Sequence, residues 1–182
     1  MDNNKIIGES IKNIDSFYND LSAFLMKLSR DIVDNYNFSD DSGNSVHLDN
    51  STHINNPFSW SPYFVYKRFK ENNTDNYLVI YIGIKDYLKN FIPYEKFPVY
   101  IAFLKNAKKP TETWWYCKDY VSNPRYKENT NILEENKLIE LIPITDEAKG
   151  HFDSGRIHIS ELFDWKDDIN EKLKEILKKF KS

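Results

Sequence analysis

The sequence predicts an α+β fold. A mainly antiparallel sheet of five or six strands is expected, with amphipathic helices from the N- and C-terminal ends packed on one of its faces. Three observations predict this. Residues 77–84 (YLVIYIGI) and 97–104 (FPVYIAFL) are apolar runs of strand length, rich in Val, Ile, Tyr and Phe and bounded by polar residues. Residues 9–36 and 160–180 each carry one apolar stripe at helical spacing. The run ENNTDN at residues 71–76 is a polar turn sequence between two strand-like stretches, as in a hairpin.

The first helix is read from Ile11, Ile14, Tyr18, Leu21, Leu25, Leu28 and Ile32, which recur at spacings of three and four. Phe17, Phe24 and Met26 widen the stripe, as expected for a helix seated on a globular core. A stripe of this kind also suits a two-stranded coiled coil, so a homodimer through this N-terminal helix is the alternative. Residues 37–56 are rich in Asn, Ser and Asp and almost aperiodic. They read as a mobile polar loop with a short ordered piece at 46–48.

Residues 63–69 have strand propensity, with Tyr63, Val65 and Phe69 on one face and Phe64, Tyr66 and Arg68 on the other. In the next strand Leu78, Ile80, Ile82 and Ile84 share a face, which is expected to lie under the helices. Tyr77, Val79, Tyr81 and Gly83 share the opposite face. That face has three readings: a solvent rim, a second core layer or a groove. Residues 86–96 connect through one helical turn to the strand at 97–104. Residues 111–121 alternate well enough for a further strand, entered at Pro110 where no ladder bond is lost. A short helix at 131–136, a strand at 138–144 whose Pro143 marks an edge or a strand end, and a short strand at 156–159 follow. The last helix carries Leu162, Trp165, Ile169, Leu173, Ile176 and Phe180 as its stripe, Asp164 and Asp167 near its start, and Lys178, Lys179 and Lys181 at its end. These charges suit the helix macrodipole, which accounts for the basic tail without nucleic acid.

The 182 residues amount to one domain, 1–182, and 40% hydrophobic content is enough to bury a core. The five glycines include no phosphate-cradling motif. A net charge of −3 argues against a nucleic-acid binder, which gains affinity from a basic patch. The lone Cys117 excludes an internal disulfide and reads as a small hydrophobe on a strand. The polar N-terminus does not resemble a signal peptide, and no apolar run approaches the ~20 residues of a membrane span. A cytoplasmic location without membrane contact is therefore expected.

Candidate chemistry is sparse. His151, Asp153 and His158 would converge on a metal only across a turn, and Asp153, Ser154 and Gly155 are also plain turn residues. His47 and His53 lie in the polar loop. A metal-dependent nuclease needs an acid-x-Lys triplet on a rigid strand. Those headed by Glu135, Glu147 and Asp164 lie outside the apolar strands. No nucleophile elbow is present. No metal, cofactor or catalytic residue is assigned, although Glu140, Glu147 and Asp153 are the carboxylates to change if a Mg²⁺- or Mn²⁺-dependent activity were found.

Aromatic residues crowd the sheet region, interleaved with cations. The binding residues chosen on this ground are Trp60, Tyr66, Arg68, Tyr77, Tyr81, Trp114 and Tyr116. Such a surface suits a protein partner, whose hot spots favour Trp, Tyr and Arg, or a stacked nucleotide or nucleic acid. An aromatic core is the plain alternative. The expected function is a non-catalytic protein-interaction module of the immunity, regulatory, defence or counter-defence type. A nucleotide- or nucleic-acid-binding protein, or a metal-dependent nuclease with a hidden site, is the alternative.

Overall fold

The computed structural model describes residues 3–41, 64–83, 98–108, 138–161 and 169–181. In chain order these form α1 (Asn3–Asn35), β1 (Phe38–Asp40), β2 (Phe64–Glu71), β3 (Tyr77–Gly83), β4 (Pro98–Lys105), β5 (Leu138–Leu141), α2 (Asp146–Lys149), β6 (Ser154–Glu161) and α3 (Ile169–Lys181). The fold is α+β. The six strands make one open sheet in the order β1-β2-β3-β4-β6-β5, and every neighbouring pair is antiparallel. β1 to β4 form a meander. The chain then lays β5 at the far edge and returns β6 between β5 and β4.

The register fixes what each face carries. Phe69 pairs with Leu78, Leu78 with Phe103, Ile80 with Ile101 and Ile82 with Val99. These side chains belong to one buried cluster with Leu21, Leu25, Leu28 and Ile32 of α1 and Ile169, Leu173, Ile176, Leu177 and Phe180 of α3. The stripe read from sequence spacing is thus the core stripe of α1 from Leu21 onward, with Phe24 packed against it, whereas Met26, expected to widen it, lies 67% exposed. On the opposite face Tyr77, Val79, Tyr100, Ala102, Leu104, Ile157 and Ile159 are buried as well. At these positions the second face is a core layer, not a rim or a groove. A β-strand's alternation reports two faces but not what covers them.

Several boundaries, and one element, differ from expectation; β5 ends at Leu141 rather than Ile144, and β6 begins at Ser154 rather than Arg156. α1 starts at Asn3 rather than Glu9, since the one glycine, Gly8, costs a helix only about 1 kcal/mol. β1 falls inside the polar loop expected at 37–56; its Phe38 is buried and meets Phe103 edge-to-face at 6.5 Å, and residues 42–56 lie outside the described residues. Phe38 is the one apolar anchor in these three residues of otherwise polar sequence. Ser160 and Glu161, expected to open the last helix, instead end β6, where Ser160 pairs with Val99. α2 was not expected. It is one turn capped by the Thr145 hydroxyl, which accepts from the Ala148 amide at 3.2 Å. The elements expected at 46–48, 86–96, 111–121, 131–136 and 162–168 lie outside the described residues, as do Cys117, His47 and His53. No described helix is long and apolar enough to cross a membrane.

Both sheet edges are blunted. β1 has three residues and ends on Asp40, and β5 has four, carries Glu140 and is followed two residues on by Pro143. Short charged edges discourage pairing with another chain.

Gly155 tests the register. A Cβ placed there would lie 2.8 Å from the Phe103 carbonyl oxygen and 2.9 Å from a Leu104 methyl. Gly155→Ala is therefore expected to cost about 2 kcal/mol, or about 6 °C in Tm. Gly8→Ala, where an added Cβ meets nothing within 4 Å, is expected to leave Tm unchanged or raise it. Thermal melts of the two variants side by side check this.

Candidate functional site

Of the residues chosen from sequence, Arg68 and Tyr77 are described with their side chains. Consecutive residues on β2 point to opposite faces, so Lys67 and Arg68 leave the strand on opposite sides. Each meets one of two consecutive acids at the end of β1. The Lys67 ammonium lies 2.9 Å from Asp40 Oδ2. Arg68 Nε donates to Asp41 Oδ2 at 2.8 Å, and its Nη2 donates to the Asp41 carbonyl at 2.9 Å. These pairs clamp the short edge strand to the sheet from both faces.

Tyr77 sits beside this clamp, with the Arg68 guanidinium 6.0 Å and the Lys70 ammonium 5.9 Å from its ring centroid. Lys70 in turn pairs with Asp75 at 3.2 Å. Burial pushes the Tyr77 phenol up, and the Asp41 carboxylate adds to this. Arg68 is 8% exposed and Tyr77 5%. At that exposure neither ring nor guanidinium presents a face on which a base could stack. Their packing is that of a rigid sheet corner. Tyr66 pairs with Tyr81, and Tyr81 with Tyr100, in the ladder. Of Tyr66 and Tyr81 the structure describes the strand position alone. Trp60, Trp114 and Tyr116 lie outside the described residues.

The acid and histidine candidates are dispersed. Asp153 accepts from the Asn106 amide at 2.9 Å and pairs with Lys108 at 3.0 Å. These two contacts hold its carboxyl below the usual range. His151 is buried beyond the end of α2, where its carbonyl accepts the Lys108 amide at 2.7 Å. His158 lies on β6, facing the cluster that contains α3. Glu147 stands exposed in α2. Among the described residues, no group of three or more His, Cys, Asp or Glu is placed to hold a metal ion.

A different corner has the shape of a site. Where the end of α3 meets β4, β6 and β5 there is a cavity of about 220 Å³. Its apolar wall is Phe103 and Phe180, stacked with centroids 6.0 Å apart and 21° between planes. The register sets Phe103, Arg156 and Glu140 side by side on three adjacent strands. Arg156 Nη1 donates to the carbonyls of Lys179 at 3.0 Å and Phe180 at 3.4 Å, so it caps the end of α3. Its Nη2 reaches Glu140 at 3.4 Å. Lys105 and Ile142 complete the rim. Among the described residues the Lys105 ammonium makes no ion pair. Ile142 has left the ladder after Leu141 and is 59% exposed, followed across the buried Pro143 by the exposed Ile144.

The arrangement can take an apolar side chain against the two phenyl rings. A volume of about 150 Å³ already suffices for a benzene ring. A carboxylate on the same ligand would meet Lys105. Sequence reasoning missed this corner because its residues come from four elements spread from Phe103 to Phe180. The one local signal is the run Ile142, Pro143, Ile144, an apolar stretch that a proline removes from the strand. No protein-family model, no curated protein and no solved structure matches this chain.

Proposed function

We propose that this chain is a non-catalytic protein-interaction module acting in the cytoplasm, of the immunity, regulatory, defence or counter-defence kind, and that it meets its partner at the Phe103–Phe180 corner rather than across the tyrosine face. The observation that carries this reading is Ile142, a large aliphatic side chain left 59% exposed beside an aromatic-walled cavity. Around it stand Lys105, Glu140 and Arg156. An apolar centre inside a charged rim is the layout of a protein interface. The partner that fits offers one apolar side chain with a carboxylate next to it. Arg68, the cation that the sequence suggested for nucleotide contact, is committed to Asp41.

The test is isolation of the full chain from its native host under mild conditions. The expected result is one stoichiometric protein partner distinct from the chain itself. Recovery of the chain alone, of a homodimer alone, or of bound nucleotide or nucleic acid with metal-dependent turnover would overturn the reading.

A further inference from the structure

We propose that His158 is an acid-sensitive latch between β6 and α3, neutral when the helix is seated and protonated when it is released. The side chain is 3% exposed, and neither Nδ1 nor Nε2 has a hydrogen-bond partner. A buried imidazole with both nitrogens unsatisfied is uncommon and costs stability even when neutral. Its surroundings make the charged form worse. β4 and β5 place the uncharged Ile101 and Leu138 directly opposite it. On its own strand Arg156 and Ser160 share its face, and Arg156 is already cationic. From α3 the charges of Lys179, Glu175 and Lys172 act on it. Glu175, the one acid of the three, accepts the Lys179 ammonium at 2.6 Å. That contact keeps Glu175 ionised well into acid, but it is spent on lysine rather than on the imidazole.

Burial, reinforced by Lys179 and Lys172 and opposed by Glu175, pulls the imidazole down to about 4 from an ordinary 6.5. A group whose seated value is depressed binds its proton first in the released state. The seated state therefore keeps its full advantage above about pH 6.5 and loses it as pH falls toward about 4. Between about pH 7.5 and about pH 5 the equilibrium shifts toward release by about 30-fold. α3 is the element that lets go, because it supplies the lysines that oppose the charged ring. It also carries Phe180, one wall of the cavity. The further consequence, that acid opens the partner site more often, rests on the function proposed above; the weaker seating of α3 does not.

Hydrogen exchange of the full chain at about pH 7.5 and about pH 5 tests the latch. Wild type is compared with His158→Leu at each pH, so that the intrinsic pH dependence of exchange cancels. The expected result is an about 30-fold loss of protection in residues 170–181 of wild type relative to the variant. β3 and β4, whose Leu78, Ile80 and Ile101 share one buried cluster with α3, should lose protection with it. Equal pH responses in the two proteins would overturn it. The ring resonances of His158 in wild type give a reading that needs no variant. A midpoint near 4 supports the latch, and one near 6.5 refutes it. If the acid-dependent loss of protection appears but an isolated partner, once bound, does not slow exchange in α3, the latch stands and the assignment of the partner site fails.

Discussion

A chain ending at residue 168 is expected to lose its cooperative thermal melt altogether. α3 buries Ile169, Leu173, Ile176, Leu177 and Phe180 in the cluster that also holds Leu78, Ile80 and Ile101. Burial of five such side chains is worth about 10 kcal/mol. A domain of this size has a net stability of about 5–15 kcal/mol, so the loss removes all or most of it. Removal also strips the cover from one face of the two strands at the centre of the sheet. The exposed surface would be a row of Leu, Ile and Val side chains, and aggregation is the expected companion of unfolding. Scanning calorimetry of the truncated and full chains checks the result. A cooperative transition in the truncated chain would show that α3 is not part of the core.

Phe180→Ala carries the second largest effect. The ring is buried, stacks on Phe103 and lines the cavity. Its loss is expected to cost about 3 kcal/mol, or about 9 °C in Tm. Most of the cost comes from lost burial and the rest from the void beside Phe103. Phe180→Leu keeps much of the volume and is expected to cost about 1 kcal/mol. The pair separates stability from binding. If the proposed site is correct, the leucine variant folds nearly normally yet holds its partner less tightly, because half of the aromatic wall is gone. Chemical denaturation gives the first quantity and calorimetric titration the second.

The parts of this fold that were legible in the sequence are those where periodicity and burial coincide. Leu78, Ile80 and Ile82 alternate, and they are all core. Leu21, Leu25, Leu28 and Ile32 recur at helical spacing, and they are all core. β1 was not legible because its one apolar residue, Phe38, is embedded in polar sequence, and its place at the edge comes from long-range ion pairs to Lys67 and Arg68. The end of β6 was not legible because Ser160 is polar yet buried. The tyrosine face was legible as a face but not as a layer. Alternation tells which side chains travel together, and burial depends on what lies above them.

The candidate site shows the same limit. Phe103 and Phe180 each read as ordinary core residues in their own segments. Only the sheet order β4-β6-β5, in which the chain returns between strands it has already laid down, brings Phe103 next to Arg156 and Glu140. Arg156 looks like a free cation on a short strand, and its work of closing the end of α3 is visible only in three dimensions.

The most direct measurement is the dissociation constant of the copurified partner for three forms of the full chain. These are wild type, Ile142→Glu at the corner, and Met26→Lys on α1, where the methionine is 67% exposed. Both substituted side chains are largely solvated, so both variants are expected to melt within about 0.5 kcal/mol of wild type. Met26→Lys is expected to bind as wild type does. Ile142→Glu is expected to weaken binding by about 2 kcal/mol or more, at least about 30-fold. Wild-type affinity in Ile142→Glu, or a loss confined to Met26→Lys, would contradict the assignment of the partner site.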